Sequence, residues 1–162
     1  IDLTAIADNK ANIMLSINAI IITITMPLLA NNIRENEYLL IPTSILLVTC
    51  VLSIIFATLA TRPIKTKGVT DLDKIKDKHS NLFFFGNFYR MTFPKYREGI
   101  DKVVSDQDIL EDSVIFDLYG LGKALGTKFN QLRICYGIFM VGMTITVIAF
   151  AVAFFNFNAA GG

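Results

Sequence analysis

Asp106 to Phe157 reads DQDILEDSVIFDLYGLGKALGTKFNQLRICYGIFMVGMTITVIAFAVAFFNF, and its two halves differ in kind. Before Ile134 the stretch is charged and amphipathic; from Ile134 onward it carries no charge. Val114, Leu118, Leu121, Leu125, Leu132, Tyr136 and Phe139 recur close to the three-and-four spacing of a helix face. The pattern predicts one long helix, or two stacked helices, whose second half enters a bilayer. Ile134 to Phe157 extends roughly 36 Å at 1.5 Å per residue, enough for a hydrocarbon core of ~30 Å with some tilt. A change at the polar half would then pass mechanically to the membrane half.

Two more charge-free runs lie upstream. Ile1 to Asn12 is polar with Leu3, Ile6 and Ala7 on one side, a helical lead-in to the run Ile13–Leu29. A secretory signal peptide is excluded there, because Ser16, Asn18, Thr23 and Thr25 interrupt the apolar core and no small-residue cleavage site follows. Leu39–Ala60 is the second span, with Pro42 in its first turn, where a missing N–H is harmless, and Arg62-Pro63 as its stop. Asn31–Tyr38 is the polar loop between the two.

Composition agrees with this reading. Of 162 residues, 53% are hydrophobic and 18% charged, and the charges are segregated. A net charge of +1 argues against a nucleic-acid binder, which needs a strongly basic face. The two cysteines, Cys50 and Cys135, fall in or beside predicted spans and make neither a disulfide framework nor a metal site. The chain starts at Ile1 rather than Met, which leaves room for residues upstream, and residues 158–162 are set aside as a tail or appended linker.

Basic residues orient the spans. The first loop holds Arg34 beside Glu35 and Glu37, whereas Arg62, Lys65, Lys67, Lys74, Lys76 and Lys78 follow span two, with more before span three and none after it. The positive-inside rule puts the N-terminus and Thr61–Arg133 in the cytosol, and the first loop and the C-terminus outside. The expected organisation is a transmembrane hairpin over 1–60, a cytosolic helical insert over 61–133 and a third span over 134–157.

Within the insert, Lys65–Asn81 reads as a linker or short helix, and Leu82–Phe93 (LFFFGNFYRMTF) as an aromatic segment. Pro94–Val104 reads as a short helix, and Ser105-Asp106 as an N-cap for the long one. No run of alternating residues predicts a strand, so the fold class is an all-α membrane protein.

Enzymatic chemistry is sparse. His79 is the single histidine, in a Lys/Asp-rich linker, and no P-loop or G-x-G-x-x-G is present. Asp106, Asp108, Glu111 and Asp112 at a helix start suit the helix dipole better than a metal. No catalytic residue and no metal ligand is therefore assigned. The aromatic segment admits three readings: a core stapling the insert, a belt at the membrane interface, or a stacking platform for a nucleobase. In the last, Phe85, Asn87 and Arg90 would hold an anionic nucleotide together with Lys123 and Lys128 of the long helix.

Polar and small residues in the spans also divide between packing and function. Asn12, Ser16, Ala19 and Thr23 share one face of span one, and Asn18 and Thr25 another. Polar groups facing lipid are costly, so these faces should meet another helix or line a water-filled path. Ala149 and Ala153 form a small-x-x-x-small pair and Gly137 and Gly142 thin span three, all permitting close helix approach. Gly122 and Gly126 give the same spacing outside the bilayer, as a packing seam or a hinge.

Several blocks together resemble a known family. They are Asp8-Asn9-Lys10-Ala11-Asn12-Ile13 with Ser16-Ile17-Asn18-Ala19, Ile54-Ile55-Phe56-Ala57 closing on Arg62-Pro63, and Asn81-Leu82-Phe83-Phe84-Phe85-Gly86-Asn87-Phe88. The last is Asp117-Leu118-Tyr119-Gly120-Leu121-Gly122-Lys123 through Lys128-Phe129 and Leu132-Arg133 to Tyr136. In this order they resemble the Pycsar effector transmembrane family, PycTM. The resemblance implies a bacterial antiviral effector of the inner membrane. A nucleotide second messenger, typically a cyclic pyrimidine mononucleotide, would activate it, and membrane integrity would then fail. Family members also occur behind an HD-type phosphohydrolase domain, so a passive anchor and oligomerisation module for such a domain is the alternative. Three thin spans cannot enclose a pore within one chain, so a pore requires a homo-oligomer.

Overall fold

A computed structural model describes residues 2–32, 37–63, 82–83, 88–89 and 91–161. Those residues form four α-helices, a short 3₁₀ turn over Glu37–Leu39 and no strand, the all-α architecture that the sequence predicts. The helices are α1 (Leu3–Asn32), α2 (Leu40–Thr61), α3 (Phe93–Val104) and α4 (Gln107–Gly161). Three of them, α1, α2 and α4, are long and apolar enough to cross a membrane. The chain divides into two compact units, one of Ile1–Arg62 with Thr127–Gly162 and one of Pro63–Gly126.

Local chemistry sets the helix starts. Asp2 Oδ1 accepts hydrogen bonds from the amides of Thr4 and Ala5, both at 3.1 Å, so α1 is capped from its first turn. Asp106 does the same for α4, accepting from Asp108 N at 3.1 Å and Ile109 N at 3.3 Å. Ser105 closes α3 instead, its hydroxyl donating to Lys102 O at 3.0 Å. Pro94 sits in the first turn of α3, where no ladder bond is lost.

Some boundaries differ from those predicted. The lead-in and first span are one helix of 30 residues that carries Pro27 within it and runs through Asn31 and Asn32. Proline so near a helix end forfeits few ladder bonds. The third span is the distal part of one helix of 55 residues that continues through Asn158, Ala159 and Ala160 to Gly161. The sequence alone reads 158–162 as a tail, yet two alanines are strong helix formers that extend a helix already nucleated.

In the first unit the contacts are made by small residues. Ala7 and Ala11 of α1, Ala60 of α2 and Leu132 of α4 are buried together, with Tyr136 against them. One turn deeper, Met14, Ala57 and Cys135 form the next layer. Outward-facing Ile20, Ile24, Ile41, Val48, Val141, Val147 and Phe155 are exposed. In water that surface would be an aggregation hazard; in hydrocarbon it is the lipid-facing side of a membrane bundle.

The second unit has an aliphatic core of Leu82 and Val103, packed by Met91, Ile100, Ile109 and Leu110. Among its described aromatics, Phe88 packs on Tyr96 with ring centroids 4.7 Å apart, while Phe83, Tyr89 and Phe93 are exposed. The described aromatics therefore do not form the core; the aliphatics do. On the α3 surface Lys102 Nζ donates to Glu98 Oε1 at 2.8 Å, which holds the Glu98 carboxyl below the usual carboxylate range.

Candidate functional site

Within the first unit the polar residues of α1 fall into two groups. Asn18 is fully buried, and its Nδ2 donates to Met14 O at 2.7 Å and to Ser53 Oγ at 2.9 Å. Ser53 Oγ lies 3.4 Å from Cys135 Sγ, and that thiol also donates to Ser53 O at 3.3 Å. One side chain from each of the three spanning helices thus meets at a single polar knot, in which Asn18 Oδ1 has no partner. Such a knot fixes the relative rotation of three otherwise greasy rods.

Asn12, Ser16, Ala19 and Thr23 lie on the outer side of α1 and are exposed. The Thr23 hydroxyl satisfies itself on Ala19 O at 2.8 Å. Asn12 and Ser16 make no side-chain hydrogen bond among the described residues. An amide held at this position in hydrocarbon has donors and acceptors with nothing to meet.

Asp8 stands at the head of the same stripe. It accepts a hydrogen bond from Lys128 Nζ at 2.6 Å, an ion pair joining α1 to α4. The Lys128 side chain is 7% exposed and that of Asp8 37%. The structure therefore brings Lys128 to Asp8, while Lys123 is exposed on α4 in the other unit. Phe85, Asn87, Arg90 and His79 lie outside the described residues.

The helix α4 has small residues of two kinds. A Cβ at Gly142 would lie 2.8 Å from Thr49 Cβ and closer still to its Cγ2 and Oγ1, so α2 and α4 touch there only because Gly142 lacks a side chain. Gly122, Gly126 and Gly137 face open space, and their smallness has no neighbour among the described residues to explain it. Ala149 and Ala153 line an apolar groove of about 710 Å³ with Ile41, Pro42, Ile145 and the stacked rings of Tyr38 and Phe157, 4.4 Å apart. Among the described residues no group of three His, Cys, Asp or Glu is placed to hold a metal.

Sequence reasoning placed Asn18 on a polar face but had no means to pair it with Ser53 and Cys135, which carry no motif and lie 35 and 117 positions away. Asp8 was missed as the partner of Lys128 for the same reason, a separation of 120 positions.

A bundle of spanning helices with lipid-compatible surfaces and a polar knot at its centre defines a multi-pass α-helical membrane protein. A family profile, the Pycsar effector protein domain (PycTM), matches residues 1–155, and the chain belongs to that family of Pycsar antiviral effectors. The family is one of membrane effectors and not a known enzyme family. No curated protein and no solved structure matches the chain.

Proposed function

We propose that the protein is a nucleotide-gated effector that assembles as a homo-oligomer in the bacterial inner membrane and permeabilises it. The observation that carries this reading is the outward polar face of α1. Asn12 and Ser16 sit on a membrane-spanning helix without side-chain partners among the described residues, next to self-satisfied Thr23. A lone protomer would leave them in lipid; neighbouring copies supply either a polar contact or a shared water path. The unfilled spaces beside Gly122, Gly126 and Gly137 support self-association, since each glycine costs about 1 kcal/mol relative to Ala unless close approach repays it.

The signal enters from the cytosol, where the basic-residue asymmetry puts residues 61–133 and the N-terminus, with the C-terminus outside. Membership in a Pycsar family supports a cyclic nucleotide, and a cyclic pyrimidine mononucleotide in particular, as activator. Phe85, Asn87 and Arg90 with Lys123 are the groups of suitable chemistry: aromatic surface for a base, guanidinium and ammonium for a phosphate. Because a ligand shifts an equilibrium only through its differential affinity for two states, this segment must change shape on activation.

Dye release from proteoliposomes holding the full chain tests the reading. Cyclic CMP or cyclic UMP should trigger release, and the Asn12→Leu, Ser16→Leu double variant should insert normally yet lose most of it. Full release from that variant would remove the polar face from the account.

A further inference from the structure

The outward polar residues of α1 fall on one stripe with Asp8, apart from buried Asn18. Asp8, Asn12, Ser16, Ala19 and Thr23 follow one another at four-, four-, three- and four-residue steps, the spacing of neighbours on a helix face. Only the head of the stripe is fastened: Asp8 is paired to Lys128 of α4, while Asn12, Ser16 and Thr23 face outward. Asp8 and Lys128 stand beside Ala7 in α1 and one turn from Leu132 in α4, residues buried together with Ala11 and Ala60.

The energetics of such a pair are asymmetric. Desolvating two charges offsets most of their attraction, so a buried pair adds little net stability over apolar residues of equal size. Removing Asp8 is another matter, because it strands the buried Lys128 ammonium, whereas Asp8, more than a third exposed, meets water when Lys128 is lost. Asp8 is the one hydrogen-bonding partner that Lys128 has among the described residues. A contact of low net worth that is costly to half-break selects one arrangement of α1 against α4 more than it stabilises the fold.

We propose that the Asp8–Lys128 ion pair is a latch holding the head of the α1 polar stripe against α4 in the resting state, and that activation opens it. The latch rests on the gating reading above and adds to it where the bundle is held shut. When the pair parts, Lys128 reaches water, Asp8 joins Asn12 and Ser16 on the open face, and the stripe presents a carboxylate at its mouth. Polar and anionic groups then line one face of α1 from end to end, suited to a hydrated path shared between copies.

Two measurements on the full chain in proteoliposomes test the latch. The first is dye release without nucleotide from Asp8→Asn, Lys128→Met and the exchange variant Asp8→Lys, Lys128→Asp. The single variants should leak at least about tenfold faster than the native protein, the factor that ~1.4 kcal/mol produces, and the exchange variant should return to the quiet level. Quiet single variants, or an exchange variant as leaky as they are, would overturn the latch. The second needs no substitution: amine acylation of the native protein, read by mass spectrometry, with and without cyclic CMP or cyclic UMP. Lys128 should be protected at rest and label at least about tenfold faster in leaking protein, with exposed Lys95 of α3 as the internal reference. Unchanged protection of Lys128 in protein that is leaking would also overturn it. If native protein neither leaks nor relabels with either nucleotide while Asp8→Asn leaks spontaneously, the latch stands and nucleotide gating by these compounds fails.

Discussion

The two compact units are held together by opposite kinds of residue. In the unit of Pro63–Gly126 the core is Leu82 and Val103 surrounded by Met91, Ile100, Ile109 and Leu110. In the unit that contains the spanning segments, the inner positions are mostly small or polar, Ala7, Ala11, Ala57, Ala60, Ser53, Asn18 and Cys135 with Met14 and Leu132 among them, and many large aliphatics face outward. Water makes the difference intelligible. Where water surrounds a fold, burying Leu and Val is the main driving force. Where lipid surrounds it, Leu gains nothing by turning inward, and helices join through close backbone approach and hydrogen bonds. The two cores differ along that line, aliphatic in one and mostly small or polar in the other, while Val114, Ile115, Leu118 and Leu121 of the Pro63–Gly126 unit are exposed like the outer side chains of α1 and α2.

Truncation of the aliphatic core should produce the largest effect. Leu82→Ala removes a side chain that is 2% exposed and should cost the Pro63–Gly126 unit about 2–5 kcal/mol in denaturant unfolding. The matched change in the membrane unit, Ile24→Ala on the outer side of α1, should leave stability in detergent within the ±0.5 kcal/mol of an ordinary surface substitution. Equal losses at the two positions would erase the contrast.

Overpacking the helix contact should come next. Gly142→Leu drives a side chain into Thr49, whose branch at Cβ cannot swing aside, and should cost about 1–3 kcal/mol. Thr49→Gly in the same chain should restore much of it, whereas Gly137→Leu, facing open space, should leave the protomer unharmed and change only oligomer size. Steric-trap or denaturant unfolding in bicelles would give the protomer values, and native mass spectrometry the oligomer.

The polar knot should give the smallest figure. Asn18→Leu deletes the bond to Ser53, and interhelical hydrogen bonds in membranes average about 0.6 kcal/mol with a ceiling near ~2. A double-mutant cycle with Ser53→Ala should show coupling of that order. Strict additivity would mean that the two side chains merely sit side by side.

Much of the fold is written in local pattern. Charge-free runs announced three spans because the bilayer filters on length and hydropathy alone. Asp106 announced the start of α4 because a cap is a matter of adjacent residues. Less legible was which polar face points inward. Asn18 and Asn12 look alike in sequence, and only the place of Ser53 on α2 and Cys135 on α4 decides that the first is buried. The Asp8–Lys128 pair is beyond reach for the same reason, since its partners lie 120 positions apart. Within the aromatic run, Leu82 is buried against Val103 while Phe83 beside it is exposed. A cluster of similar side chains does not reveal which of them the backbone turns inward.

The central claim is that the outer face of α1 meets water when the effector acts. Cysteine reactivity at Ser16 tests it most directly, because thiol reagents that cannot cross a membrane react only where water reaches. Native Cys50 and Cys135 are fully buried, so a Ser16→Cys thiol is the reactive one. In proteoliposomes it should be protected at rest and be modified, with a matching change in conductance, once cyclic CMP or cyclic UMP sets off leakage. A Ser16→Cys protein that leaks freely while its new thiol stays unmodified would contradict the account.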